Sequence, residues 1–385
     1  VHGELAWMDR FLIKRSAAPV DEPLAKRTCT KDIDAPVAGN VPAAPAGNPR
    51  TIISWNVNGL VPQLKNAWPD IQSFLAREKP DVLCLQEVRF PARAPKGAKR
   101  GDGQRRQRGV PDRETKQNRE DWELVERTII AATKTDYEIH WSLADYRYSG
   151  TAVFIRRGLN PQSIRFTLPA LTRIAKHRDS ADLSVHPEGR IILVSFASFD
   201  LLATYSPNNG SDDTSFSRRS LWDAGVKEDL ASWNRPLIWI GDINCAPALC
   251  DVSEPEWFLR QCYQGDLVKY RGQPGVTEGE REQFKDILST ARLVDAYRAL
   301  HPASTSPPAD GPFYTWRGHP PVNGVYAKYH GKGMRIDLAL VAESLLSSVQ
   351  ACEILGHGAD RVGFMGSDHS PLKLVLAFAG GNEEI

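Results

Sequence analysis

The chain has 385 residues, 41% hydrophobic and 25% charged, enough for one large α/β domain with tails or for two small domains. A net charge of +1 excludes strong overall attraction to a polyanion, so any nucleic-acid surface must be a local patch. No apolar run is long enough to span a membrane and no secretory signal pattern opens the sequence; six cysteines without a CxxC pair argue against a zinc site and fit a reducing compartment.

Residues 1–50 read as a flexible extension. Leu5 to Arg15 is apolar enough for a short helix or docking peptide, and Ala17 to Arg50 is an Ala-, Pro- and Gly-rich linker without a period. The spacing of Met8, Phe11 and Leu12 resembles a sliding-clamp docking box, although Leu5 stands where its leading Gln is usual; a chance amphipathic tail is the alternative. The folded part is expected over 51–380, with a short tail at 381–385. It opens on the stretch Thr51 to Leu60, a short buried strand that ends in amides and a glycine, Asn56, Asn58 and Gly59. Lys65 to Arg77 has helical spacing at Trp68, Ile71, Phe74 and Leu75, and Asp81 to Glu87 is a second buried strand. Strand, helix, strand in this order is a βαβ-like unit.

From Pro91 to Glu120 the pattern vanishes. Basic residues, among them Arg93, Lys96, Arg105, Arg106, Arg108, Arg113 and Lys116, outnumber the acidic ones. The segment reads either as a solvated insertion or as a basic arm on phosphates. Regular elements then resume. Tyr148 to Ile155 is a turn and strand, and Gly189–Val194 with Leu201–Tyr205 is a hairpin. Trp222, Val226, Leu230 and Trp233 mark a helix face, and Pro236 to Asn244 is a strand ending on Asp242 and Asn244. Glu280 to Leu288 is helical; Phe313–Trp316, Arg335–Val341 and Leu372–Phe378 are strands. Cys84 and Cys352 lie in strand-like runs, where reduced core thiols are expected.

Apolar strands repeatedly stop on polar residues: Asn56 and Asn58, Glu87, Tyr205 with Asn208, Asp242 with Asn244, Asp337, and the adjacent Asp368 and His369. Each ending has a plain explanation, because Asn and Asp favour turns. Gathered on one rim, the set suits metal-assisted phosphodiester hydrolysis. Glu87, with Asn58 as an oxygen donor, suits a hard cation such as Mg²⁺. Asp242 beside Asn244 would orient or deprotonate water, while Asn208, Tyr205 and His369 donate to a phosphoryl group and Asp337 holds His369. The rival reading is a satisfied polar rim on a binding domain.

The segments Ser54–Leu60, Cys84–Glu87, Tyr148–Gly150, Glu188–Arg190, Tyr205–Asn208, Gly241–Asn244, Tyr314–Trp316, Arg335–Asp337 and Gly366–His369, in this order, resemble the exonuclease III-like apurinic/apyrimidinic endonucleases of the endonuclease/exonuclease/phosphatase superfamily. The resemblance implies a four-layered α/β sandwich, DNase I-like, with two packed mixed β-sheets flanked by helices. It also implies cleavage of duplex DNA 5′ to an abasic site, leaving a 3′-hydroxyl and a 5′-deoxyribose phosphate, with 3′-phosphodiesterase action on blocked 3′ ends. By position it makes Glu87 the ligand of Mg²⁺ (or Mn²⁺), Asn58 its helper, and Asp368 a close neighbour of the ion. Asn56, Arg89, Tyr148, Trp316, Met334 and Ile336 would face DNA. Of these, Trp316, Met334 and Ile336 would wall a pocket that selects a baseless sugar by shape; ordinary core is the alternative for Trp316. Ser211 departs from relatives that place a duplex-entering Arg there.

The expectation is therefore a monomeric, Mg²⁺-dependent repair nuclease of the nucleus, or alternatively of the mitochondrion. A phosphatase of the same superfamily acting on inositol phosphates or lipids, and a catalytically inactive DNA-binding scaffold, are the competing readings.

Overall fold

Residues 52–56 of the first strand, β1 (Thr51–Asn56), are buried on both faces, so the strand needs cover on each side. The computed structural model describes residues 47–99, 106–175, 188–261, 268–302, 313–321, 324–358 and 360–378. The Met8–Phe11–Leu12 motif, most of the 1–50 extension, the 381–385 tail, Cys29 and Cys262 lie outside them.

After β1 come α1 (Leu60–Asn66), α2 (Trp68–Glu78) and β2 (Val82–Gln86), and β1 and β2 pair in parallel as a βαβ unit requires. The single helix expected over Lys65–Arg77 is instead two helices broken at Ala67. Pro69 stands in the first turn of α2, where its missing N–H costs nothing and its ring bars continuation from α1. The chain continues through β3 (Ala92–Arg93), β4 (Gln107–Pro111) and α3 (Lys116–Val125). A π-helical turn, Glu126–Ile130, leads into α4 (Ala131–Thr133). Next are β5 (Tyr137–Ser142), β6 (Thr151–Arg156), β7 (Ser163–Arg165), α5 (Pro169–Ala175), and the hairpin β8 (Ile191–Ser195) and β9 (Asp200–Tyr205). Then follow α6 (Asp213–Ala231), β10 (Leu237–Asp242), α7 (Pro255–Leu259), α8 (Glu278–Ala291), β11 (Leu293–Asp295) and α9 (Ala296–Leu300). The last strands are β12 (Trp316–Arg317), β13 (Gly333–Met334), β14 (Asp337–Ala342), β15 (Val349–Ile354) and β16 (Leu372–Leu376).

Two six-stranded mixed sheets result, ordered β15-β16-β1-β2-β6-β5 and β11-β14-β10-β9-β8-β7. Their facing sides make the central core: Ile52, Val82, Val153 and Leu374 from one sheet meet Val194, Leu201, Ile240 and Val341 from the other. The outer face of the first sheet, with Ile53, Leu83 and Phe154, packs on Leu64, Ile71, Phe74 and Trp122 of the helices. The outer face of the second, with Leu193, Leu202, Trp239 and Leu340, packs on Trp222, Val226, Phe284 and Ile287. Helices, sheet, sheet and helices are the four layers expected.

Several expected boundaries move. Phe313–Trp316 supplies only the short β12, and β14 starts two residues after Arg335. Trp233 lies past the end of α6. The basic segment is not a featureless arm: it carries β3 and β4 and starts α3, and Arg106 and Arg108 both pair with Asp145. Cys84, Cys245 and Cys352 are free, buried thiols, and burial pushes each of them up out of the reactive range.

Candidate active site

The register of the strands builds the site. Asn56 pairs with Gln86 across β1 and β2, Tyr205 with Asp242 across β9 and β10, and Asp242 with Asp337 across β10 and β14. The last residues of β1, β2, β9 and β10 and the first of β14 therefore meet on one rim. Gly241 makes the approach of β10 to β9 feasible: its φ is 142°, and a Cβ there would lie 2.0 Å from Thr204 O. Beyond the strands the backbone turns sharply. Asn58, Glu87, Arg89 and Asn244 all adopt left-handed φ between 47° and 55°, a conformation non-glycine residues hold only when the surroundings compensate.

Those surroundings are polar and dense. Asn56 Nδ2 donates to Glu87 Oε1 at 3.0 Å and to Asp242 Oδ2 at 2.8 Å, so one carboxamide bridges a carboxylate beside the first sheet and one in the second. Its Oδ1 accepts from Asn58 N, and Asn58 Nδ2 donates to Asp368 Oδ1 at 2.7 Å. Asn244 N donates to Asp242 Oδ1 at 2.8 Å, and its side-chain amide reaches Asp242 Oδ2 and Ser206 O. His369 Nδ1 and Asp337 Oδ2 are 2.7 Å apart. Trp55 Nε1 donates to His369 O, Ser367 Oγ bonds Asn56 O, and His369 N bonds Ser367 Oγ. Thr315 Oγ1 accepts from both Ile336 N and Asp337 N.

Burial and neighbours set the charges. Burial and the Asp337 carboxylate push Asp242 up to about 7, against the pull of His369 and Asn56. Burial opposes a charge on His369, but Asp337, Asp242 and Asp368 outweigh it and push the imidazole up to about 10. It is a cation at neutral pH. Burial acts to raise Glu87 too, yet Arg89 and the Asn56 bond hold it below the usual carboxylate value. Asp368 is also held low, because His369, His319 and Arg361 overcome its burial. Tyr205 is raised well above the ordinary phenol by burial and by Glu87, which keeps its proton in place as a donor.

Most expected site residues thus converge, but not all. Arg89 is exposed and bonds Glu87 Oε2 through Nε at 3.0 Å. Trp316 donates from Nε1 to Asp368 Oδ2 at 3.1 Å, while Met334 and Ile336 are only 6% and 4% exposed and pack on Val252 and Phe258. Tyr148 reaches the rim through Arg190, which donates to its hydroxyl. Asn208 is exposed on the loop after β9 and makes none of these bonds.

Buried arginines were the residues that sequence reasoning missed. Arg190 lies 4.6 Å from the Tyr205 ring centre, donates to Tyr205 O and pairs with Glu188. Arg219 and Arg335 are buried beneath the loops. The available signal was a cation directly before an apolar run, as at Arg190–Ile191, or on the buried face of a helix.

Among the described residues, the ligand atoms of Asp242, Asp337 and His369 all fall within 4.8 Å of one another. A cation is disfavoured there while His369 is itself charged and bonded to Asp337. The Glu87–Asp368 side suits a hard ion better. Both carboxylates are held ionised and Asp368 bears electrostatically on Glu87, while Asn56 Nδ2 donates to Glu87 and Asn58 Nδ2 to Asp368.

A family model described as the Endonuclease/Exonuclease/phosphatase family matches residues 53–369. A DNA-(apurinic or apyrimidinic site) endonuclease from Arabidopsis thaliana is 35% identical over 376 residues, covering 95% of this chain and 96% of that protein. The crystal structure of an AP endonuclease from Leishmania major superposes with a TM-score of 0.57 at 22% identity, over 86% of this chain and 88% of that one. A 3′ phosphatase from Neisseria bound to a product DNA hairpin also gives 0.57, at 23% identity, over 86% of this chain and all of that one. The two structures speak for the fold.

Proposed function

The chain belongs to the endonuclease/exonuclease/phosphatase family and within it to the DNA-(apurinic or apyrimidinic site) endonucleases, and from that premise we propose that it cuts duplex DNA on the 5′ side of an abasic site. Water adds to phosphorus and the P–O3′ bond breaks, leaving a 3′-hydroxyl and a 5′-deoxyribose phosphate. Asp242 takes the proton from the attacking water. The Asn244 N–H and the Asn56 amide fix its two oxygens, and its raised pKa suits proton transfer near neutrality. The His369 cation, oriented through Nδ1 by Asp337, and the Tyr205 hydroxyl donate to the phosphoryl oxygens as charge builds there.

Glu87 and Asp368, helped by Asn58, would hold a Mg²⁺ or Mn²⁺, which supplies charge neutralisation at the phosphate when bound. Arg89 shares Glu87 from the solvent side and can serve the DNA backbone. Trp316, with Met334 beside it across the β12–β13 ribbon, borders the rim where a baseless sugar would dock by shape. Blocked 3′ ends offer the same scissile bond, so 3′-phosphodiesterase activity belongs to the same reading.

The observation that carries the reaction is the Asn56 bridge between Glu87 and Asp242. It joins the carboxylate read as ion-binding and the one read as proton acceptor on one rim. The test is a nicking assay on a duplex with one abasic site, an intact duplex, and small phosphate esters, with Mg²⁺ or EDTA. A single Mg²⁺-dependent nick 5′ to the abasic site is expected. Turnover of small esters alone would support the phosphatase reading, and binding without any nick would support the scaffold.

A further inference from the structure

Arg219 sits on α6 away from the reacting groups, fully enclosed, and every nitrogen of its guanidinium is engaged. Nε donates to both oxygens of Asp223, one helical turn on, at 2.9 and 3.0 Å. Nη1 donates to Pro207 O at 2.9 Å and to Asn244 O at 3.3 Å, and Nη2 donates to Ile243 O at 2.9 Å. Pro207 lies on the loop after β9, between Tyr205 at the strand's end and Asn208. Ile243 and Asn244 follow Asp242. One planar fork thus clamps the phosphate-facing loop to the loop of the proton acceptor.

A second buried group closes the other side. Glu280 of α8 accepts from Asn209 Nδ2, from Gly275 N at 2.8 Å and from Thr277 Oγ1 at 2.6 Å. Gly275 O in turn accepts from Ala246 N at 2.8 Å. A buried ion pair such as Arg219–Asp223 is weak evidence for stability, because desolvation offsets the attraction; its effect is to fix orientation. What it fixes is specific. Asn244 holds a φ of 52°, and in that conformation its N–H points at Asp242 Oδ1. Arg219 holds the carbonyl of the same residue.

We propose that Arg219 is a positioning residue for strand cleavage: by gripping the carbonyls of Pro207, Ile243 and Asn244 it sets Asp242 against the phosphate-facing loop. The proposal rests on the reading of Asp242 as proton acceptor. Lysine cannot replace the fork, since an ammonium is a point donor without the planar geometry.

The test compares Arg219→Lys and Arg219→Met with wild type, each alone and combined with Asp242→Asn. The readouts are kcat and KM on an abasic duplex, DNA affinity in EDTA, Tm, and amide hydrogen exchange over 205–210 and 242–246. The control is Phe284→Leu, a core change on α8 outside the site. In either Arg219 variant, kcat should fall at least about tenfold with KM and affinity within about twofold, as expected for a loss felt only in the transition state. In the Asp242→Asn background, where the group to be positioned is gone, the same change should cost less than about threefold, because coupled residues are not additive. Exchange over both loops should quicken. If Arg219→Lys, like Phe284→Leu, lowers Tm and leaves kcat unchanged, the residue is structural and the proposal falls. An equal kcat loss with and without the Asp242 carboxylate overturns it as well. If neither Arg219 variant folds, Asp223→Ala keeps the arginine but frees its Nε; a kcat loss in the same direction is expected, and none overturns the proposal. Failure of the wild type to nick abasic DNA would count against the assigned reaction and not the clamp, which the exchange rates judge alone: unchanged rates in Arg219→Lys would refute it.

Discussion

Asn56 spends both amide protons on carboxylates, one beside the first sheet and one in the second, and the chemistry divides around it. On one side Glu87 and Asp368 are held ionised; on the other lie Asp242 and His369, the latter bonded through Nδ1 to Asp337. Replacing Asp242 by Asn, or His369 by Ala, should cut kcat at least about a hundredfold, a typical acid–base loss. Binding to abasic duplex in EDTA should hardly change. Normal turnover in either variant would remove that residue from the mechanism. A residue away from the site shows the same electrostatics as a stability effect. Asp121 accepts from Lys65, Arg147 and Gln117, and the two cations outweigh burial to hold its carboxyl below the ordinary value. The folded state binds that proton more weakly than the unfolded chain does. The pairing therefore stabilises above the unfolded pKa of about 3.9, and its contribution is lost as pH falls through the lower folded value. Asp121→Asn should lower Tm at pH 7, and the gap to wild type should close below about pH 4 in thermal melts. A gap independent of pH would show that charge is not the cause.

At the scale of elements, the basic segment behaves differently from its composition. Arg106 and Arg108 are paired with Asp145, Arg113 with Glu126, and Lys116 with Glu120. Composition counts cations but not the carboxylates that folding brings to them from elsewhere in the chain. Arg93 and Lys96 remain exposed on β3 and the turn after it. If these two meet phosphates, Arg93→Gln with Lys96→Gln should flatten the plot of log affinity against log salt by about 2, close to one per contact. An unchanged slope would leave the segment as a solvated flank. The strands that carry the site were legible because each is a short apolar run ended by a polar residue, as at Gln86–Glu87 and Asp242–Asn244. The break at Ala67 was legible in principle from Pro69 but was masked by the 3.6-residue period continuing through it. The partners of Arg190, Arg219 and Glu280 were not legible, since a charged residue in a sequence does not announce that it will meet backbone carbonyls, as the two arginines do, or an N–H and side-chain donors, as Glu280 does.

Across the whole molecule the site depends on how the two sheets lie on one another. Leu374 on β16 is fully buried between them. Leu374→Ala should cost about 2–5 kcal/mol in chemical unfolding, the usual range for a buried leucine. Because Asn56 spans the sheets, nicking activity in this variant should fade at a lower temperature than its circular dichroism signal. Coincident loss of the two would mean that the rim does not sense sheet docking. The order of the first sheet has one more consequence. Its last strand in sequence, β16, lies between β15 and β1, one strand in from the edge, and His369 comes just before it. On the ribosome, Glu87 and Asp242 emerge long before the strand that brings in His369. A nascent chain cannot close this rim until β16 has followed the other strands out and inserted between β15 and β1.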